Sequence, residues 1–111
     1  MPEVAFALPI LPGQEQLDHE TFKELEGARR SEYEAALAQA GITRHTVWHQ
    51  ETPDGSLAIV YMQADDESGV GRFAASDAPI NRWFREQMKQ VHGIDIAESG
   101  SPPKKVHDIN L

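Results

Sequence analysis

The 111-residue chain is 40% hydrophobic and sets 10 basic against 18 acidic side chains, a net charge of −8, which fits one globular core and a surface that repels nucleic acid or an anionic membrane. It has no cysteine, which removes disulfides, thiolate metal sites and cysteine nucleophiles and fits a cytoplasmic protein. No apolar run approaches the roughly 20 residues that span a bilayer, and Glu3 stands where a secretory leader would be basic.

Val4 to Ile10 is a short apolar run closed by Pro12-Gly13, a strand entering a loop. Its bulky residues, Val4, Phe6, Leu8 and Ile10, alternate with Ala5 and Ala7, so one face is thick and the other permits close approach. From Gln14 to Ala40 the spacing is helical, with Leu17, Leu25, Tyr33, Ala36, Leu37 and Ala40 on an apolar stripe and Gly41 as the stop. Asp18 or Thr21 is the expected cap of its start, and Gly27 is a weak point within it.

Ile42 to Glu51 and Ser56 to Ala64 form a hairpin over Pro53-Asp54-Gly55, which suits a three-residue loop with Gly55 in the left-handed region. That loop pairs Thr52 with Ser56 and sets His49 opposite Ile59, Val47 opposite Tyr61 and His45 opposite Gln63. On the other face Trp48 meets Val60, Thr46 meets Met62 and Gln50 meets Ala58. Both faces carry apolar residues, so both need cover.

Asp65-Asp66-Glu67-Ser68 opens a second helix, its acidic residues suited to the positive end of the dipole. Asp77 is the expected cap of a further helix, with Pro79 in its first turn, running through Trp83, Phe84, Met88 and Val91 to Gly93. The segment with Gly100 and Pro102 reads as loop, and Lys104 to Leu111 as a short last strand or an arm.

The element order β-α-β-β-α-β is the ferredoxin-like arrangement, in which helices cover one face of a four-stranded sheet. The other face is left for a second copy, so the expectation is an α+β, ferredoxin-like chain, residues 1–111 as one domain, forming a homodimeric α/β barrel.

The stretches FALPILPG, GARRSEYEAALAQAGITR, TVWHQETPDGSLAIVYMQADD and AASDAPINRWFREQMKQVHGIDI span most of the chain. Through them it resembles a bacterial family of uncharacterised dimeric α/β-barrel proteins, relatives of the antibiotic-biosynthesis-monooxygenase group. The resemblance implies the barrel fold and the dimer. It supplies no catalytic signature that can be carried over to particular residues here.

His45 and His49 are four apart, a spacing that on a helix would suit a metal; on a strand it is roughly 13 Å, too far for shared coordination. No metal and no cofactor are expected. His49 and Tyr61, placed on one hairpin face by the register above, are the candidate catalytic pair: a neutral imidazole to accept a proton and a phenol to hold the resulting oxyanion. The bland alternative is a pair of rings that line a sheet. Arg29 and Tyr33 share a helix face, where the guanidinium could hold a carboxylate or enolate, or simply pair with a nearby glutamate. Phe6, Trp48 and Trp83 complete the candidate lining of an apolar pocket between sheet and helices. These residues point to binding of a small apolar, aromatic or carbonyl compound, with proton transfer or cofactor-free oxygenation as the chemistry. The alternative is a non-catalytic ligand-binding or stress-associated dimer.

Overall fold

In the computed structural model, which describes residues 2–96 and 103–111, the alternating N-terminal run is strand β1 (Glu3–Pro9), with Val4, Phe6 and Leu8 turned inward and Ala5 and Ala7 exposed. The long helical stretch is two helices, α1 (Glu15–Glu26) and α2 (Arg30–Ala40), because the chain breaks at Gly27 with φ −115° and ψ −105°. Neither Asp18 nor Thr21 caps the start. The N-cap is Gln14, Asp18 is buried one turn inside the helix, and Thr21 Oγ1 donates back to Leu17 O at 2.8 Å. Gly41 stops α2 in the left-handed conformation, as its position in the sequence suggests.

Strands β2 (Ile42–Thr52) and β3 (Gly55–Ala64) follow, and the sheet is antiparallel in the order β1-β3-β2. The hairpin loop is one residue shorter than expected, with Thr52 opposite Gly55 and only Pro53-Asp54 between the strands. Thr52 explains the choice: its Oγ1 donates to Gly55 O at 2.7 Å and accepts from Asp54 N at 3.2 Å, which closes the tighter turn. A one-residue shift moves every pairing to the other face. Tyr61 therefore lies opposite Thr46 and beside Trp48 on the outer face, whereas His45, Val47 and His49 lie with Met62, Val60 and Ala58 on the helix side.

Helix α3 (Gly69–Ala75) begins after the acidic cluster, with Ser68 at its N-cap. In α4 (Pro79–His92), Pro79 opens the helix behind Ala78, so Asp77 sits one residue before the cap. Ile80, Phe84, Met88 and Val91 recur on one stripe of α4 and are all buried. The carbonyls at the end of α3 are satisfied from α4: Asn81 Nδ2 donates to Phe73 O at 2.9 Å, and Arg85 Nη1 donates to Ala74 O at 2.9 Å. His92 Nδ1 and Pro9 O, 2.8 Å apart, tie α4 to the end of β1.

The core thus joins the inner face of the sheet to α1–α4, with Leu25, Ile42, Val60, Met62, Phe73 and Phe84 buried in it. All four helices lie on one side, the α+β ferredoxin-like arrangement expected from the element order. The last strand does not form: residues 103–111 are an arm with Val106, Ile109 and Leu111 exposed, held to β1 through Lys105 Nζ and Glu3 Oε1 at 3.2 Å. The expected loop at Gly100 and Pro102 lies outside the described residues.

Candidate functional site

Helix α1 meets the inner side of β2 through Asp18 and Phe22, which touch His49 and His45, and Leu25 is buried on the same helix face, the spacing that brings positions i, i+4 and i+7 together. Between the two elements is a cavity of about 510 Å³, within the range of small-molecule sites. Phe22, Lys23 and Glu26 of α1, Tyr33 of α2 and His45 and His49 of β2 line it.

At one end His49 Nε2 meets Asp18 Oδ2 at 2.5 Å. The Asp18 side chain is 0% exposed and that of His49 is 31% exposed. Asp18 Oδ1 is buried with no hydrogen-bond partner among the described residues. A carboxylate can only accept, so Nε2 is the donor, and in the neutral ring the free electron pair is then on Nδ1. A buried carboxylate behind an imidazole fixes its tautomer and orientation and stabilises the cation formed when Nδ1 takes up a proton.

At the other end Tyr33 Oη and His45 Nδ1 are 2.5 Å apart. Three phenylalanine rings surround this imidazole edge-on, Phe22, Phe73 and Phe84, with centroids 5.9, 6.2 and 6.3 Å away. Burial pushes the His45 pKa down to about 4, because the low-polarity surroundings disfavour the charged ring. Burial first, and the negative charge of Glu26 second, raise the Tyr33 phenol above its ordinary range. Both groups are neutral at pH 7. The phenol, the better donor, gives its hydrogen to Nδ1 and leaves the ring proton on Nε2.

A second cavity, about 1010 Å³, lies between β1 and β3 on one side and α3 and α4 on the other. Val4, Phe6, Val60, Met62, Val70 and Phe73 give it largely apolar walls. Phe22 and His45 line both cavities.

Of the residues singled out in the sequence, the structure brings His49 and Tyr33 to the smaller cavity and Phe6 to the larger one. It separates His49 from Tyr61, so the expected pair on one face does not exist. Tyr61 donates outward to Glu3 Oε2 at 2.5 Å and accepts from Gln63 Nε2 at 2.8 Å; the bond to Glu3 is the main cause that raises its pKa. Trp48 is 54% exposed on the outer face. Arg29 and Trp83 meet each other, with the guanidinium carbon 4.3 Å from the ring centroid and Nε 3.0 Å from Glu24 Oε1. They line neither cavity and pin the α1–α2 connection to α4. Asp18 was missed as a site residue; its signal was a carboxylate in phase with Phe22 and Leu25 on the buried stripe of a helix. Among the described residues no group of three or more histidines and carboxylates could hold a metal ion, and no helix is long and apolar enough to cross a membrane.

No protein-family model matches the chain, and no curated protein matches it in sequence. Among solved structures it is similar to an L-rhamnose mutarotase from Formosa agariphila, with 13% identity, a TM-score of 0.67, and coverage of 99% of this chain and 100% of that one. At that identity the likeness shows the fold. The arrangement of helices and strands is that of a ferredoxin-like α+β protein.

Proposed function

We propose that the chain is a small-molecule enzyme of the dimeric α/β-barrel type that moves a proton on a hydroxyl- or carbonyl-bearing compound, with His49 as the base. The observation that carries this reading is the pairing of a cavity-lining imidazole with a fully buried carboxylate at 2.5 Å. The proton passes from the ligand to Nδ1 of His49: from a hydroxyl the O–H pair stays on oxygen, and from a carbon beside a carbonyl the C–H pair forms the C=C bond while the carbonyl π pair moves to oxygen, with Asp18 holding the positive charge that forms on the ring. Lys23, on the same cavity, is an ammonium group available to the developing oxyanion. His45 and Tyr33 serve as neutral hydrogen-bonding groups, not as the base.

Mutarotation starts by taking the proton of a hemiacetal hydroxyl, whose electron pair forms the carbonyl as the ring C–O bond breaks and the ring oxygen takes up a proton, so the name of the structural neighbour supports the reaction type. Kinship with the monooxygenase group belongs to the same proposal, because cofactor-free oxygenation also starts by taking a proton from the substrate. In the assembled protein a second copy covers the outer sheet face, where Trp48, Leu57, Ile59 and Tyr61 lie away from the helices.

The test is exchange NMR with two probes, anomer exchange of L-rhamnose and keto–enol exchange of 2,4-pentanedione. Acceleration of either by the protein, lost in His49→Gln and reduced in Asp18→Asn, supports the reading. Equal rates for wild type and His49→Gln with both probes overturn it in favour of a non-catalytic binding protein.

A further inference from the structure

The apolar cavity adjoins the proton-transfer site. It shares Phe22 and His45 with the smaller cavity and has about twice its volume, about 1010 against about 510 Å³. The walls differ in kind. Around His49 the smaller cavity offers Lys23, Glu26 and His19, all able to hydrogen-bond, whereas the larger is built mainly from aliphatic and phenylalanine side chains, with Glu3, Asp66, Glu67 and Lys105 as its charged members. His45, at the boundary, is neutral with its Nδ1 taken by Tyr33, so it presents no charge to whatever passes.

A wholly hydroxylated ligand would fit only the first cavity, since pressing hydroxyls against Val60, Met62 and Phe73 costs their hydration without return. A wholly apolar ligand would bury polar groups of the first without partners. We infer that the substrate is amphipathic and elongated, with an enolisable carbonyl or hydroxyl head at His49 and an apolar body that runs past His45 into the cavity between the sheet and α3–α4. The identity of the head rests on the proton-transfer reading; the two-part shape rests on the cavities alone. Phe22, the other shared residue, stands one helical turn from Asp18, roughly 5 Å along the helix, and His45 stands roughly 13 Å from His49 along the strand, so a body of about five to ten chain atoms spans the way to the apolar cavity.

The probes are 2,4-pentanedione, 2,4-nonanedione and 2,4-tridecanedione, which share one head and differ in the reach of the tail. Their Kd is measured by calorimetry below the solubility limit, and their keto–enol exchange by NMR. The expected result is a tightening of about tenfold or more from nonanedione to tridecanedione, a fraction of the roughly three- to fourfold per methylene of full burial. Two variants obstruct the larger cavity: Val70→Trp, and Gly71→Phe, at a helical position where an added Cβ meets nothing within 4 Å. Both are expected to abolish the gain for tridecanedione and to leave pentanedione unchanged. The second keeps the test open if the first does not fold.

A Kd that is flat across the series, or a gain that persists in both variants, overturns the inference. The two readings fail separately. Catalysed exchange with a flat Kd refutes the elongated substrate and keeps the proton transfer. A steep, variant-sensitive Kd without exchange refutes the proton transfer and keeps the two-part site.

Discussion

His49 on β2 and Asp18 on α1, 31 residues apart in the chain, meet at 2.5 Å between Nε2 and Oδ2, and the carboxylate is closed off from solvent. This bond ties α1 to β2 at the cavity wall. Loss of either member has unequal consequences, because one group is buried and the other is partly in water.

His49→Ala leaves the Asp18 carboxylate buried with no partner on either oxygen. The expected cost is about 3 kcal/mol, the low end for breaking a buried pair, since His49 is itself part-exposed. Replacing both residues together (Asp18→Leu with His49→Leu) removes the stranded charge and is expected to recover most of that loss. Urea unfolding of the two variants measures the difference. A single variant as stable as the wild type would show that the pair contributes nothing to the fold.

His45 sets a pH dependence of stability. Its folded-state pKa of about 4 lies below the roughly 6.5 of a histidine in an unfolded chain. Between these values the unfolded chain binds a proton that the folded chain does not. Stability is therefore complete above about pH 6.5 and declines as the pH falls to about 4, by on the order of 3 kcal/mol. Carboxylates titrate in part of this range, so the measured quantity is the slope of wild type against His45→Gln. A slope in this window that is equal in the two proteins would contradict the burial of the ring.

Gly69 opens α3 against the end of the hairpin. A Cβ at this position would lie 2.8 Å from Ala64 Cβ and 3.0 Å from Ala40 O, and the second of these is backbone that cannot turn aside. Gly69→Ala is expected to destabilise the protein by about 1–3 kcal/mol, the range for overpacking. Thermal unfolding of this variant beside Gly71→Ala, which meets open space, checks it: only the first should melt lower.

The outer sheet face carries the assembly prediction. The protein should sediment as a dimer at micromolar concentration, and charge placed at the centre of that face, Ile59→Glu or Trp48→Glu, should yield a folded monomer. A monomeric wild type would remove the second copy from the account.

Much of the fold was legible because it depends on local chemistry. Gly41 and Gly93 stop helices where a left-handed residue is needed, and the period of Ile80, Phe84, Met88 and Val91 declares the buried face of α4. The site was half legible. Pro53-Asp54-Gly55 is compatible with a two- or a three-residue loop, and the choice rests on side-chain bonds of Thr52 that no periodicity reveals. One residue of register then carried Tyr61 to the opposite face and left His49 with a different partner. Asp18 looked like a cap because it stands near the start of a helical pattern, but the helix begins at Glu15 and the carboxylate falls on its buried stripe. The break at Gly27 is similar: a glycine inside a helical period is tolerated or not according to the packing around it.

His49 is the group proposed to take the ligand's proton. Nitrogen-15 NMR of the histidine rings reads this directly. In the free protein the neutral His49 ring is expected to carry its proton on Nε2, toward Asp18, with Nδ1 bare. On saturation with 2,4-pentanedione Nδ1 should move to the protonated range while His45 stays neutral. Saturation that leaves both His49 nitrogens unchanged, with the proton appearing on His45 or on no ring at all, would contradict the assignment.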